Sequence, residues 1–286
     1  MVAHDKSLIW VSLDIKRVEE ECIMAEFTKR GLKVGVTGSR ELKAMPHYDF
    51  KGSIVLIRNM SAVNSIYVAA IADASGGVPV NSTSTLVIGH DKILTYAALA
   101  KRGLKIPRSF IALEDFREYE DLEKLKFPVI VKPPIGSWGR LVSVAKNSNT
   151  LKSIISHGSL LETPHLKVRL IQEPGMLGVD VRCFVVGGSL IACMERRGPP
   201  GEWRSNAALG GAARPYKPDC DVEEASIKAA ESLNAEIAGV DLIFDGKGEF
   251  YVNEVNVVPE FKALMKATGV NVAGAIVDYV LWKARR

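Results

Sequence analysis

Three side chains with hard oxygen donors fall on two predicted strands in the last third of the sequence. In segment 250–256, Glu254 and Asn256 are two residues apart, and an extended strand turns alternate side chains to the same face. Asp241 lies inside the apolar segment 238–244, and the Gly-Lys-Gly sequence at 246–248 predicts a hairpin turn between the two strands. Magnesium binds a few carboxylates and leaves positions for phosphate oxygens, so these residues form a candidate metal site. The alternative is a strand with solvated acids on its polar face.

Two lysines are candidates for binding the phosphates that such a metal would accompany. Lys132 ends a predicted strand and is followed by the loop Gly136-Ser137-Trp138-Gly139-Arg140, where backbone N–H groups and a cation can meet an anion. Lys92 lies in the first turn of a predicted helix, where its charge opposes the helix dipole unless an anion or water compensates. Neither segment is a Walker loop or a Gly-x-Gly-x-x-Gly fingerprint. A plain hairpin and a solvated lysine remain equal alternatives.

Several arginines precede the predicted metal strands: Arg182, Arg196, Arg197 and Arg204. Arg196 and Arg197 are also compatible with the solvent face of a strand end. Together with the two lysines and the three oxygen donors, they favour a site for a polyphosphate with magnesium.

The composition excludes several classes of protein. The 286 residues carry a net charge of +4, with no tract of basic and aromatic residues of the kind that binds nucleic acid. No apolar run approaches the roughly 20 residues of a membrane-spanning helix, and the first residues do not resemble a signal peptide, so we expect a cytoplasmic protein. The four cysteines form no Cys-x-x-Cys pair, which predicts buried, reduced thiols rather than disulfides or zinc ligands.

The elements that must position these residues follow from hydrophobic periodicity. Strands are predicted at 8–13, 32–36, 53–57 and 78–81, helices at 18–30 and 66–74, a connection at 82–86, and a helix at 91–102 capped by Asp91. Strands separated by helices of this length indicate a parallel α/β sheet. Further strands are predicted at 128–131, 141–145, 168–172, 181–186 and 190–195, and helices at 149–157, 222–233 and 272–282. The fold class is therefore α/β and α+β.

The order of these motifs resembles the ATP-grasp superfamily over almost the whole chain. The resemblance is carried by Gly89-His90-Asp91-Lys92, Val129-Ile130-Val131-Lys132-Pro133, Gln172-Glu173, Asp180-Val181-Arg182, Arg204-Ser205-Asn206, Gly239-Val240-Asp241 and Asn253-Glu254-Val255-Asn256. Segments 136–141 and 259–262 are similar to the ligases that join α-aminoadipate or glutamate to the amino-group carrier protein of lysine and arginine biosynthesis. Segments 195–197 and 203–206 are more similar to the ribosomal-protein glutamate ligases.

The resemblance implies an N-terminal α/β domain at 1–88, a lid sub-domain at 89–170 and a second ATP-grasp sub-domain at 171–286. It also implies a carbon–nitrogen ligase that uses ATP and magnesium, with manganese as the alternative ion. The implied partners are a small acidic carrier protein and an acidic amino acid, and a homo-oligomer is left open.

The resemblance assigns roles to individual residues of this sequence. The implied catalytic residues are Lys132, Arg204 and Asn206, and the implied metal ligands are Asp241, Glu254 and Asn256. The implied nucleotide-binding residues are Lys92, Lys132, Gly136, Ser137, Trp138, Gly139, Glu173 at the adenine hinge, Asp180, Arg182, Arg204, Ser205 and Asn206. The implied substrate contacts are Arg58, Glu260, Phe261 and Lys262.

The sequence departs from the family pattern at four places. Leu209 stands where an arginine is usual, with Arg214 as a nearby substitute, and Pro174 follows Glu173 although proline has no N–H to donate to adenine. The segment from Glu173 to Asp180 is short, and Ala263 stands where the carrier-protein ligases have asparagine. Three alternatives therefore stay open: a ligase with another acceptor, a nucleotide-binding regulator without turnover, and a structural protein.

Overall fold

The computed structural model describes residues 8–38, 50–112, 125–136, 141–159, 168–175, 177–200, 202–203, 205 and 211–286. Its strands form three sheets in chain order, one parallel and two antiparallel, with helices packed against them. This arrangement confirms the predicted α/β and α+β class.

The first sheet is parallel, and it has the strand order β2-β1-β3-β4. Its elements are β1 (Ile9–Leu13), α1 (Val18–Lys29), β2 (Gly35–Gly38), β3 (Ile54–Ile57), α2 (Ala62–Ala74) and β4 (Val78–Val80). β3 is buried along its whole length, as expected for a strand covered on both faces. A side chain at Gly35 would lie 2.4 Å from the Trp10 ring, so the close pairing of β1 and β2 requires glycine there.

Two short helices connect the first sheet to the second: α3 (Thr83–His90) and α4 (Lys92–Lys101). The prediction of a connection at 82–86 was wrong, because Ser82 caps α3 by accepting a hydrogen bond from the Thr85 N–H. The predicted cap of α4 is confirmed, since the Asp91 carboxylate accepts from the N–H groups of Ile93 and Leu94.

The second sheet is antiparallel, with the order β5-β8-β6-β7. It comprises β5 (Ser109–Ala112), β6 (Val129–Lys132), β7 (Ser143–Ala145), α5 (Ser148–Ser159) and β8 (Arg169–Gln172). Strand β5 was not predicted. The centre of β6 places Val129 and Val131 in a small core with Leu151 of α5 and Ile171 of β8, and Lys132 is the last residue of β6, as predicted.

The third sheet has five strands in the order β11-β10-β9-β12-β13, and all of its pairings are antiparallel. Its elements are β9 (Val179–Val186), β10 (Ser189–Arg197), β11 (Ala212–Tyr216), α6 (Cys220–Ser232), β12 (Ile237–Phe244), β13 (Phe250–Asn256), α7 (Lys262–Thr268) and α8 (Val272–Ala284). The predicted hairpin is the β12–β13 pair, whereas β11 and α7 were not predicted. A β-bulge between Asp241 and Leu242 places both Asn253 and Glu254 opposite Asp241.

A disulfide joins Cys183 to Cys193 in the structure, so the prediction of four reduced thiols was wrong. The β9–β10 hairpin turns at Gly187 and Gly188, which both have positive φ, and an irregularity between Leu190 and Ala192 shifts the register by one residue. The shift brings Cys193 directly opposite Cys183. Cys22 and Cys220 are free, as predicted, but neither is buried: Cys22 is half-buried and Cys220 is exposed.

Helix α8 packs against α1 and joins the end of the described chain to the first sheet. Ile23 and Phe27 of α1 share a buried cluster with Ile276 and Val280 of α8. Among the helices that the structure describes, none alone has the length and apolar composition to span a bilayer; α7 and α8 meet these criteria only together, and they are bent by 117°.

Candidate active site

A cleft with a volume of about 300 Å³ lies where the three sheets meet. Ten of the predicted site residues line it: Lys92, Lys132, Gly136, Asp180, Arg182, Ser205, Asp241, Glu254, Asn256 and Glu260. The structure thus brings both candidate lysines and all three candidate metal ligands into one cavity.

Alternating acids and arginines form a buried row across β12, β9 and β10. Arg182 lies opposite Asp241 in the strand register, and Arg196 lies opposite Asp180. Nε and Nη2 of Arg182 donate to the two oxygens of Asp241 at 2.7 Å each, while Arg196 binds both oxygens of Asp180 at 2.6 Å. Arg196 Nη2 is also 2.9 Å from Asp241 Oδ2. Each buried charge is therefore paired and hydrogen-bonded, as burial of a charge requires.

This pairing determines the charge state of the row. Burial raises the pKa of Asp241, but the charges and hydrogen bonds of Arg182 and Arg196 outweigh it and lower the pKa to about 2. Burial lowers the pKa of Arg196, and the charges of Asp241 and Asp180 raise it above its ordinary value. Asp180 also accepts a hydrogen bond from Ser205 Oγ at 2.5 Å. The Asp241 carboxylate and the Arg196 guanidinium are therefore ionised near neutral pH.

Glu254 and Asn256 offer the more accessible oxygens of the predicted metal site. The Glu254 side chain is 33% exposed, and its described charge contact is Lys92 Nζ at 3.8 Å. Asn256 Nδ2 donates toward Gly239 O and Asp241 Oδ2, which leaves Asn256 Oδ1 without a hydrogen bond to any described residue. No group of three Asp, Glu, His or Cys side chains suited to a metal occurs among the described residues. The donors nevertheless fit magnesium, which takes one or two carboxylates and completes its shell with phosphate and water.

Lys132 lies in a buried polar network that joins the second and third sheets. Its Nζ donates to Gln172 Oε1 at 2.6 Å and to Asn253 Oδ1 at 3.1 Å. Gln172 Nε2 also donates to Asn253 Oδ1, and Tyr96 OH donates to Gln172 Oε1. Burial lowers the pKa of Lys132 to about 8, with the charge of Glu254 opposing and that of Lys92 adding to the shift. An anion in the cleft would stabilise the protonated form.

Lys92 connects the start of α4 to the loop after β6. Its backbone N–H donates to Pro134 O at 2.9 Å, and its Nζ donates to Gly136 O at 2.8 Å. The ammonium group therefore lies between the Gly136 loop and Glu254, on the same side of the cleft as the candidate metal ligands.

The predicted adenine hinge has a different composition from the expected one. The Glu173 N–H donates to Arg108 O, and the Glu173 carboxylate accepts from Arg108 Nη1 at 3.3 Å, so its side chain does not line the cleft. Pro174 and Gly175 line it instead. A side chain at Gly175 would lie 2.7 Å from Phe244 O, so this close approach of the hinge to β12 requires glycine.

Three of the four predicted substrate residues lie outside the cleft. Arg58 is 1% exposed, and it donates to Glu20 Oε1 and to Pro259 O, both at 3.0 Å. Phe261 is buried against the Phe184 ring, and Lys262 is exposed. Arg58 and Phe261 therefore hold the segment after β13 in place, and Glu260 alone of the four reaches the cavity.

Several predicted residues lie outside the described part of the chain: Ser137, Trp138, Gly139, Arg204, Asn206 and Leu209. Arg214, considered as a substitute for the arginine absent at position 209, is described. Its Nη2 donates to Glu195 at 2.7 Å, its side chain is 69% exposed, and it does not line the cleft.

The cleft also contains polar residues to which no individual role was assigned, among them Arg17, His90, Gln172, Arg196 and Asn253. Arg196 was considered as the solvent face of a strand end, but it is only 4% exposed. Burial lowers the pKa of His90 to about 4, with Lys92 adding to the shift, so this residue is neutral. Arg17 pairs with Glu260 across 243 positions of sequence, a distance over which local patterns give no signal.

The chain is similar to several known proteins. Residues 89–280 match the model of the RimK-like ATP-grasp domain. The chain is 36% identical over 274 residues to the glutamate–LysW ligase ArgX of Sulfurisphaera tokodaii, covering 94% of this chain and 96% of that protein. It is 29% identical to the α-aminoadipate–LysW ligase LysX of Saccharolobus solfataricus, with coverage of 92% and 96%.

The fold is also that of a solved structure. A RimK domain ATP-grasp protein from Sphaerobacter thermophilus superimposes with a TM-score of 0.76 at 23% identity, covering 96% of this chain and 99% of the other. ATP-grasp ligases use ATP and Mg²⁺, for which the cleft supplies cations and oxygen donors. The chain belongs to the RimK-like ATP-grasp family.

Proposed function

We propose that the protein is an ATP-dependent ligase that joins glutamate to the C-terminal glutamate of a small acidic amino-group carrier protein in lysine or arginine biosynthesis. The observation that carries this proposal is the 36% identity to ArgX over nearly the full length of both chains. Identity to the α-aminoadipate ligase is lower, at 29%, which favours glutamate over α-aminoadipate.

In this proposal the lysines hold the phosphates of ATP. Lys132 is positioned by Gln172 and Asn253, and Lys92 by the Gly136 carbonyl, so both ammonium groups are oriented before the nucleotide binds. Preorganised cations stabilise charge that develops on a transferred phosphoryl group without further rearrangement. Apolar cleft residues such as Ile130 and Ile243, with Pro174 of the hinge, are the proposed surroundings of the adenine.

The proposed ligands of magnesium are the more accessible Glu254 and Asn256, together with the buried Asp241. When bound, the ion would neutralise phosphate charge and orient the transferred group, and manganese is the proposed substitute. Asp241 is hydrogen-bonded to Arg182 and forms an ion pair with Arg196. We therefore propose that its main role is to position these two cations beside the phosphates.

The proposed reaction has two steps. The γ-phosphoryl group passes from ATP to the carrier carboxylate, which gives ADP and an acyl phosphate. The amino group of glutamate then attacks the acyl carbon; a C–N bond forms, the C–O bond to phosphate breaks, inorganic phosphate leaves and the amine loses its proton to solvent. The predicted loop at Gly136–Arg140 is the proposed cover that excludes water from the acyl phosphate.

The proposal keeps the division into units at 1–88, 89–170 and 171–286, although strand β8 (Arg169–Gln172) of the second sheet crosses the boundary at 170. It keeps the cytoplasm as the compartment, since the relatives are named as ligases that act on LysW. It includes neither nucleic acid nor membrane as a partner and leaves a homo-oligomer open.

The test is to incubate the protein with ATP, Mg²⁺, the carrier protein and either glutamate or α-aminoadipate, and to measure the intact mass of the carrier. A mass increase of one glutamate residue, with equimolar ADP, is expected. ADP release without any mass increase would contradict the proposal.

The same measurement separates the alternatives. Ligation to another carboxylate acceptor, such as a ribosomal protein or a small molecule, would identify a related ligase. Nucleotide binding by calorimetry with no ADP formed with any acceptor would indicate a regulator, the alternative that Leu209 and Pro174 favour.

A further inference from the structure

Arg17 is held in one orientation at the entrance to α1. Its Nε and Nη2 donate to the two oxygens of Glu20 at 2.9 and 2.8 Å, and Glu20 has no exposed side-chain surface. Arg58 binds the same Glu20 carboxylate from the interior. The remaining nitrogen of Arg17, Nη1, is directed into the cleft, where it donates to Glu260 Oε1 at 3.1 Å.

The Arg17–Glu260 pair forms the N-terminal side of the cleft. Met60, Ala62 and His90 line this side with the pair, and all three come from the first unit or its connection to α4. Glu260 follows Asn256 on the segment that leaves β13, so the pair lies next to the candidate metal ligands. The side chain of Glu260 is 38% exposed, and that of Arg17 is 16% exposed, so a ligand can reach both.

The charges of this side select one class of ligand. The Glu260 carboxylate repels phosphates and other simple anions. The Arg17 guanidinium in turn repels a ligand that carries only a positive charge. His90 supplies no second positive charge, because it is neutral. An α-amino acid carries an ammonium group and a carboxylate on the same carbon, which matches a neighbouring carboxylate and guanidinium.

We infer that Arg17 and Glu260 bind the head group of the incoming amino acid, with the α-carboxylate on Arg17 and the amino group on Glu260. This inference rests on the proposed ligase function and adds the residues that recognise its second substrate. It places the attacking amino group on the segment directly after the metal-binding strand. The side-chain carboxylate of the amino acid is then recognised by other residues.

The experiment compares L-glutamate with its α-amide, L-isoglutamine, in the carrier-protein ligation assay. Isoglutamine keeps the amino group and the side-chain carboxylate and loses only the charge that Arg17 is inferred to bind. Arg17→Gln and Glu260→Gln are measured beside the wild type. Lys266→Gln is the matched control, because Lys266 is exposed on the neighbouring helix α7 and does not line the cleft.

For the wild type, KM for isoglutamine should exceed KM for glutamate by about ten- to a hundredfold, the value of a charged hydrogen bond. Arg17→Gln should raise KM for glutamate by a similar factor, abolish the preference over isoglutamine and leave KM for ATP within about twofold. A purely structural role of Arg17 would not remove this preference selectively. Lys266→Gln should match the wild type.

Glu260→Gln should raise KM for both amino acids, and it provides the test if Arg17→Gln does not fold. An active wild type whose Arg17 and Glu260 variants keep the wild-type KM values and preference would overturn this inference alone. A wild type that adds no amino acid to the carrier would overturn the proposed function, and this inference with it.

Discussion

Arg182 binds both oxygens of Asp241, with its Nε and Nη2 each 2.7 Å from the carboxylate. Asp241 also lies 2.9 Å from Arg196, so one buried acid balances two guanidinium groups. Removing Asp241 would leave Arg182 without its acid partner and Arg196 with Asp180 alone, and breaking a buried pair in this way typically costs about 3–5 kcal/mol of stability. Loss of activity in an Asp241 variant would therefore not distinguish a metal ligand from a structural residue.

Glu254→Gln is the cleaner test of the metal site. Glu254 is partly exposed and its charge contact is long, so we expect the melting temperature to change by no more than a few degrees. Turnover should fall by about a hundredfold or more, because the metal supplies several kcal/mol of charge stabilisation. Activity is measured across a magnesium titration. Glu249→Gln, on the same hairpin and outside the cleft, should keep full turnover, and a Glu254 variant as active as that control would contradict the assignment.

Two adjacent arginines on β10 should respond differently to the same substitution. Arg196→Gln leaves Asp180 and part of Asp241 without a cation in the protein interior, so we expect a loss of about 3–5 kcal/mol in the free energy of unfolding. Arg197→Gln should change it by less than about 0.5 kcal/mol, because the Arg197 side chain is 58% exposed. Chemical denaturation measures both, and a loss for Arg196→Gln as small as that for Arg197→Gln would show that the buried row does not stabilise the fold.

Nucleotide affinity should decrease as pH rises through about 8, the pKa of Lys132. The pKa of Lys132 in the folded protein lies below its ordinary value of 10.5. In the nucleotide-free protein, the protonated form that binds phosphate is therefore lost at a lower pH than for an exposed lysine. Because the pKa of Lys132 is lower in the folded chain than in the unfolded chain, the unfolded chain binds more protons between about pH 8 and 10.5. The free energy of unfolding should therefore rise over this range.

Calorimetry with a non-hydrolysable ATP analogue and Mg²⁺ checks the first expectation, with Kd about tenfold higher at pH 9 than at pH 7. Lys132→Met should bind weakly and remove this dependence. A wild-type Kd that is the same at both pH values would exclude Lys132 as the titrating group.

The disulfide predicts a thiol count. Under denaturing, non-reducing conditions, a thiol reagent should modify two of the four cysteines, Cys22 and Cys220, and all four after reduction. Reduction should lower the unfolding free energy by about 2–3 kcal/mol, the usual value for a short closed loop. Cys220→Ser should lower each thiol count by one and leave the effect of reduction on the unfolding free energy unchanged. Four reactive thiols in the wild type without reductant would rule out the disulfide.

The sequence patterns predicted those parts of the site that depend on one strand at a time. The alternation in β13 placed Glu254 and Asn256 on one face, and both residues line the cleft. The apolar neighbours of Asp241 indicated that it is buried, and its side chain is buried in the structure. Lys132 at the end of β6 and the Asp91 cap before Lys92 were equally local features.

Features that depend on pairing between strands were not predictable from periodicity. One irregularity in β10 shifts its register against β9, and this shift places Cys193 opposite Cys183 and Arg196 opposite Asp180. The bulge opposite Asp241 turns Asn253 into the cleft beside Glu254, although strict alternation assigns these neighbours to opposite faces.

Contacts between distant segments were also beyond local patterns. Arg58 was an implied substrate contact, yet Glu20 and the Pro259 carbonyl hold it in the interior. Such contacts follow from how the units dock, which no window of the sequence records.

The packing of α8 on α1 affects how this chain folds as it is made. Arg30 and Asp278 form an ion pair although 248 positions separate them, and the apolar face of α1 shares its buried cluster with α8. Protein synthesis delivers the first sheet long before the helix that covers it, so the nascent chain carries an uncovered apolar face through most of translation. The amino-terminal unit is therefore the segment for which we expect the greatest need of chaperones, and separate expression of residues 1–88 should yield an aggregating fragment.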